Sequence, residues 1–137
     1  MDETWRKIPG APEFVDWFGR WPQFHDAEVV GVSLLRGGIT TVDIHVFNTT
    51  AEVDDRKHYV TEKHALVRFS FGNVMGCELA GFNHQNVIGR LDISKVGEQF
   101  QFTMDSIYGL GGSISADSVT LTFTPGIPEG SIYPRSS

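Results

Sequence analysis

The segment Val30-Gly31-Val32-Ser33-Leu34-Leu35-Arg36-Gly37-Gly38-Ile39-Thr40-Thr41-Val42-Asp43-Ile44-His45-Val46 decides how this chain folds. Val30, Val32 and Leu34 alternate with Gly31 and Ser33. After Arg36-Gly37-Gly38, Val42, Ile44 and Val46 alternate with Thr41, Asp43 and His45. A period of two places apolar side chains on one face of an extended strand. Two such runs joined through Gly-Gly predict a β-hairpin.

The same period runs outward along the chain. Ala65, Val67, Phe69 and Phe71 predict a third strand, with Arg68 and Ser70 on its other face. A bend is expected at Gly72-Asn73, after which Met75, Cys77 and Leu79 repeat the parity. Val87, Leu91 and Ile93, broken by Gly89, give a fifth run, and Phe100, Phe102 and Met104 a sixth after a turn at Gly97. Ile114 and Ala116 are expected to pair with Val119, Leu121 and Phe123 across Asp117-Ser118. Apolar alternation with polar opposite faces, and no helix-length pattern between runs, predicts antiparallel pairing rather than parallel crossovers. The fold class is therefore mainly β (α+β): an antiparallel sheet or sandwich of six to eight strands.

One short N-terminal helix precedes it, over residues 12–19. Pro12 suits a first helical turn, Glu13 and Asp16 favour the positive end of the helix dipole, and Gly19 is a natural stop. Phe14, Trp17 and Phe18 form one stripe, too short to stand alone, that must dock on the sheet. Residues 1–10 read as an arm or cap, and 125–137, rich in Pro, Gly and Ser, as a loose tail. The 137 residues fit one domain, 1–137, whose size and ten Phe, three Trp and three Tyr suffice for a core.

Charge and composition narrow the functions. Eleven Lys and Arg against 17 Asp and Glu give a net charge of −6, so the basic footprint of nucleic-acid or anionic-membrane binding is missing. The first residues show no secretory leader, and no apolar run is long enough to span a membrane, which points to the cytoplasm. The lone Cys77 excludes an intrachain disulfide and a thiolate zinc cluster, and its place in an apolar alternation predicts a buried thiol.

Phe24-His25-Asp26-Ala27-Glu28 is the densest chemical cluster. His25, Asp26 and Glu28 are metal-ligand and acid–base types, but in an extended chain His25 points away from the other two. The remaining histidines show neither HxH nor HExxH spacing, so no metal site, cofactor or catalytic residue is predicted, and the cluster reads as a junction held by local hydrogen bonds. Gly109-Leu110-Gly111-Gly112 lacks the following helix and Lys of a phosphate loop and reads as a turn. Gly81-Phe82-Asn83-His84-Gln85-Asn86 reads as an amide-laced turn or an amide-rich contact surface. The stretch 48–63 has no core pattern and many charges, and is expected to be a mobile loop. Candidate partner-binding residues are Glu52, Asp54 and Asp55 in that loop, and Asn83, His84 and Gln85 in the amide turn.

The stretch from Trp21-Pro22-Gln23-Phe24-His25-Asp26-Ala27-Glu28-Val29 to Arg36, then Phe69, then Gly81-Phe82-Asn83 through Asn86-Val87-Ile88, resembles small bacterial immunity proteins of polymorphic-toxin and contact-dependent inhibition loci, nearest the immunity protein 50 family. The resemblance covers roughly residues 12–124. It implies a cytoplasmic domain that binds and neutralises a cognate toxin without catalysis, and it carries over no catalytic or toxin-binding residues. An acidic chain suits a basic toxin. The alternatives are a small β-rich enzyme or ligand-binding protein using His25, Asp26 and Glu28, or a structural component of a larger assembly.

Overall fold

The computed structural model describes residues 3–53 and 59–128, and for 49–53 and 59–61 the backbone path only. A 3-10 turn, Thr4–Lys7, leads into helix α1, Ala11–Phe18; six strands follow: β1 Glu28–Ser33, β2 Thr40–Val53, β3 Tyr59–Ala80, β4 Val87–Val96, β5 Gln99–Tyr108 and β6 Gly111–Pro125. They pair antiparallel in the order β1-β2-β3-β6-β5-β4, and β1 meets β4 to close a barrel. The expected mainly β fold, an antiparallel sheet of six strands with one short N-terminal helix, is what the chain forms, and closing the sheet into a barrel leaves fewer free edges.

Inward residues of β2, β3 and β5 follow the sequence parity: Val42, Ile44, Val46, Ala65, Val67, Phe69, Phe71, Phe102 and Met104 are all buried. Opposite them on the outer face, Arg68 donates two hydrogen bonds, of 2.7 and 2.9 Å, to the Asp43 carboxylate of the neighbouring strand. Their aromatic rings make a continuous path through the barrel. Trp5 stacks on Trp21 at 5.6 Å, Trp21 meets Phe24, Phe24 meets Phe69, and Phe102 joins Phe69 to Phe71.

Bulges re-aim the other strands. In β1 the register shifts between Val29 and Gly31, so Val29 faces the core and Val30 is only half-buried. Leu34 lies past the end of β1 and is 57% exposed. In β4 two register shifts put Ile88 in the core in place of Val87. The expected hairpin across Asp117-Ser118 does not form. β6 runs straight through, and β3 likewise runs through Gly72-Asn73, where Asn73 takes a left-handed φ of 53°. The two strands change parity side by side, with the Asn73 amide bonded to the Asp117 carboxylate. A Cβ at Gly72 would meet the Ser118 hydroxyl, which would have to rotate away. After this switch and a bulge between Val74 and Gly76, Met75 and Cys77 are exposed, which corrects the expected buried thiol.

Residues 48–63 are also corrected in part. β2 continues to Val53 and β3 begins at Tyr59, paired at Asn48↔Glu62, Thr49↔Thr61 and Val53↔Tyr59. The alternation was obscured because polar residues interrupt it in the sequence, as at Asn48-Thr49-Thr50 and Glu62-Lys63-His64; residues 54–58 lie outside the described residues. Helix α1 covers the barrel through Phe14, which meets Phe123 at 5.1 Å and Phe18 at 5.2 Å. Phe14 and Phe18 are buried, while Trp17 is half-buried between Phe123 and the Lys63 ammonium. Trp17→Ala is accordingly expected to cost about 1–3 kcal/mol, less than a fully buried aromatic. The N-terminal arm is docked: Ile8 is buried, and the Leu121 N–H donates to the Pro9 carbonyl at 2.8 Å. Gly10, at φ 92°, lets this chain pass over the Leu121 carbonyl, which a Cβ would strike.

Candidate functional site

The Phe24–Glu28 segment forms the seam of the barrel. Phe24 and Asp26 both adopt left-handed backbone, φ 62° and 69°, a costly conformation for a bulky residue. Burial of the Phe24 ring between Trp21 and Phe69 offsets it. So do backbone bonds from Asp26 N–H to Ile88 O, Ala27 N–H to Phe24 O and Ile88 N–H to Ala27 O, at 2.8–3.0 Å. These backbone bonds, two of which cross to Ile88, tie the segment before β1 to β4; the junction reading expected local hydrogen bonds from His25 and Asp26, whose side chains meet each other at the surface.

The three candidate ligands separate. His25 and Asp26 approach to 3.3 Å on the surface, each more than half exposed, beside a cavity of about 320 Å³ that Arg20, Gln23 and Phe47 also line. Glu28 is buried and bonds to His45, its register partner on β2: Glu28 Oε1 lies 2.6 Å from His45 Nδ1. His45 Nε2 lies 2.8 Å from His64 Nδ1, and Phe47 packs against both rings. With Glu28 ionised and both rings neutral, one assignment satisfies this chain: His45 Nδ1–H donates to Glu28, and His64 Nδ1–H donates to His45 Nε2. The carboxylate–imidazole–imidazole row was missed in the sequence because His45 was read as a polar-face residue. Hairpin pairing of Glu28 with His45 is the signal that could have found it. Among the described residues, no group of three or more His, Cys, Asp or Glu is arranged to hold a metal ion.

Burial holds the pKa of His64 below its ordinary value, as does the neighbouring His45, while the Glu28 carboxylate opposes the shift. The fold thus favours the neutral ring. Its contribution is complete above pH 6.5, the unfolded value, and is lost as pH falls from there through the lower folded value. The denaturation midpoint of the wild type is expected to drop more than that of His64→Gln between about pH 7.5 and 5. Parallel pH curves for the two proteins would contradict this.

The Gly81–Asn86 turn is built around one buried amide. Asn86 Oδ1 accepts from the Asn83 N–H at 2.9 Å and the Leu110 N–H at 3.0 Å; its Nδ2 donates to the carbonyls of Asn83, at 2.9 Å, and Val29, at 3.4 Å. Asn83 Oδ1 accepts from the Gln85 N–H at 2.8 Å, which is the amide-laced turn expected. His84 lies exposed and edge-on to Tyr108, and Gln85 is half-buried.

Glu52 is the penultimate residue of β2, next to the Val53↔Tyr59 pair, while Asp54 and Asp55 lie outside the described residues. Among the described residues, the amide turn and Glu52 lie apart. Asn86 holds Val29, which is opposite Ile44, and Glu52 follows Ile44 by about eight strand positions, roughly 25 Å. Sequence reasoning also missed an apolar rim beside the amide turn: Leu34, Leu35, Ile39 and Phe82 are each more than half exposed. The signal was present, since Leu34-Leu35 and Ile39 flank a Gly-Gly turn where polar residues are usual.

No described helix is long and apolar enough to cross a membrane. Comparison with curated proteins and with solved structures returned no significant match. The family model described as immunity protein 50 matches residues 11–124, from the first residue of α1 to the penultimate residue of β6. The matched region includes the barrel seam, the Asn86 turn and all six strands, and on that match the chain belongs to the immunity protein 50 family.

Proposed function

We propose that this chain neutralises a cognate bacterial toxin by direct protein–protein contact, without turning over a substrate. Membership of an immunity-protein family carries this reading. The net charge of −6 supports a basic toxin, because opposite charge speeds encounter and penalises wrong partners. In this reading Asn83, His84 and Gln85 contact the toxin from the amide turn, and the acidic side chains of Glu52, Asp54 and Asp55 steer it. The toxin domain is expected in the adjacent reading frame. Co-expression with this chain should restore growth to cells that the toxin alone arrests, and continued arrest would sink the proposal. Asp54→Lys with Asp55→Lys should slow association and flatten its salt dependence while leaving thermal stability unchanged. Unaltered kinetics would remove the acidic residues from the contact.

A second reading, a small enzyme or ligand-binding protein, has the Glu28–His45–His64 row behind it, since hydrogen-bonded rows of this kind can orient an imidazole for proton transfer. The direct-contact reading is preferred because the row ties β1, β2 and β3 together, with its carboxylate and central ring buried.

A further inference from the structure

β3 is longer than the strand it pairs with on one side. Its ladder with β2 ends at Thr40↔Phe71, whereas its ladder with β6 continues to Ala80↔Gly111. Among the described residues, Gly72–Ala80 therefore has a strand partner on one edge only, and the other edge presents unpaired backbone donors and acceptors. That edge is not flush with the surface. It forms one wall, with Asn73, Val74 and Cys77, of a groove of about 810 Å³ whose other wall is the β1–β2 turn with Leu34, Leu35 and Ile39. A second hollow of about 330 Å³ shares Leu34 and carries the groove on past Leu79 to Phe82, next to the amide turn already proposed as a toxin contact.

We infer that this groove receives an extended segment of the toxin, which adds as a strand to the free edge of β3. Three observations select that occupant. A bare strand edge is recognised by another extended backbone, and apolar walls accept alternate side chains of the added strand. The groove is recessed behind the hairpin turn, so it admits a protruding strand or hairpin. A second copy of this chain would present the same recess, hollow to hollow. Arg36 is exposed on the turn wall, which favours a segment bearing an acidic residue at that end. The Val74–Gly76 bulge lies within the edge, so the flatter register for pairing runs from Gly76 to Ala80. This inference rests on the immunity reading and specifies how its partner docks.

The proposed cognate toxin domain, sought in the adjacent reading frame, is the probe. Cys77 is the chain's only cysteine and is exposed, so N-ethylmaleimide reports on the groove directly. In the complex, Cys77 should be protected from alkylation and the amides of 73–80 from hydrogen exchange. Leu34→Lys with Ile39→Lys, both at exposed positions lining the groove, should leave the melting temperature unchanged and weaken binding by roughly 30-fold or more. Wild type that binds the toxin with Cys77 and the edge amides still unprotected would overturn the groove while leaving the immunity reading intact. So would a folded double variant that binds as wild type. The two protection measurements need no variant and decide the matter if the double variant fails to fold. A wild-type chain that does not bind the toxin overturns the immunity reading and the groove's occupant together. Protection of 73–80 in the free chain, growing with concentration and accompanied by a dimer mass, would assign the groove to a second copy and overturn the inference.

Discussion

Phe14→Ala is expected to lose about 3–5 kcal/mol of stability, the range for deleting a fully buried phenylalanine ring, and to lower the melting temperature by roughly 10–20 °C for a chain of this length. Phe14 is fully buried and touches Phe18, Trp17 and Phe123, so it holds α1 on the barrel. An eight-residue helix has little stability of its own, and losing this contact should free α1 and the docked arm before it. Phe14→Leu, which keeps most of the buried volume, should recover more than half of the loss. Urea denaturation of the three proteins measures this. A loss under about 1 kcal/mol for Phe14→Ala would mean that α1 is not held by this face.

Asn86→Ala is expected to cost about 3 kcal/mol, because it strips the partners from two N–H groups and two carbonyls at once, and each buried group left unpaired costs about 1–3 kcal/mol unless water reaches it. The side chain ties the amide turn to Val29 of β1 and to Leu110 before β6. Asn86→Asp should be no better, since it keeps the acceptor but turns a carboxylate oxygen toward the Asn83 and Val29 carbonyls. Asn83→Ala removes a single local bond to the Gln85 N–H and should cost under about 1 kcal/mol. The contrast matters for function: Asn83 can be varied to test toxin contact, whereas an Asn86 variant would confuse contact with folding. Equal stability of Asn86→Ala and wild type would contradict the hydrogen-bond account.

Strand parity made β2 and β5 legible residue by residue, because Val42, Ile44, Val46, Phe100, Phe102 and Met104 alternate without interruption and all lie in the core. It misassigned Val30 and Val87 because each lies at a bulge, where the side-chain period is broken by backbone geometry. Cys77 is exposed for another reason: it is paired with buried Ile114, but the β2 ladder ends at Thr40↔Phe71 and leaves it uncovered. The helix and its stripe were readable from Pro12, Gly19 and the spacing of Phe14 and Phe18, but the partial exposure of Trp17 depends on where the helix docks. Closure of the barrel was not readable, because it rests on the left-handed turns at Phe24 and Asp26, which bring Ala27 against Ile88. The Asn83–Asn86 turn was recognised by composition, yet the dominance of Asn86 within it comes from partners 57 and 24 residues away. The apolar groove arises from the unequal lengths of β2 and β3, a tertiary fact to which the exposed leucines around Gly37-Gly38 were the only clue.

Titration of the purified chain into an activity assay of the proposed cognate toxin domain, sought in the adjacent reading frame, tests the central claim most directly. Neutralisation by direct contact predicts that toxin activity falls in proportion to added chain and reaches zero at one equivalent, with both proteins recovered intact from the complex. Toxin activity untouched by excess chain would contradict the account. So would complete loss at a small fraction of an equivalent, the signature of a chain that acts by turnover.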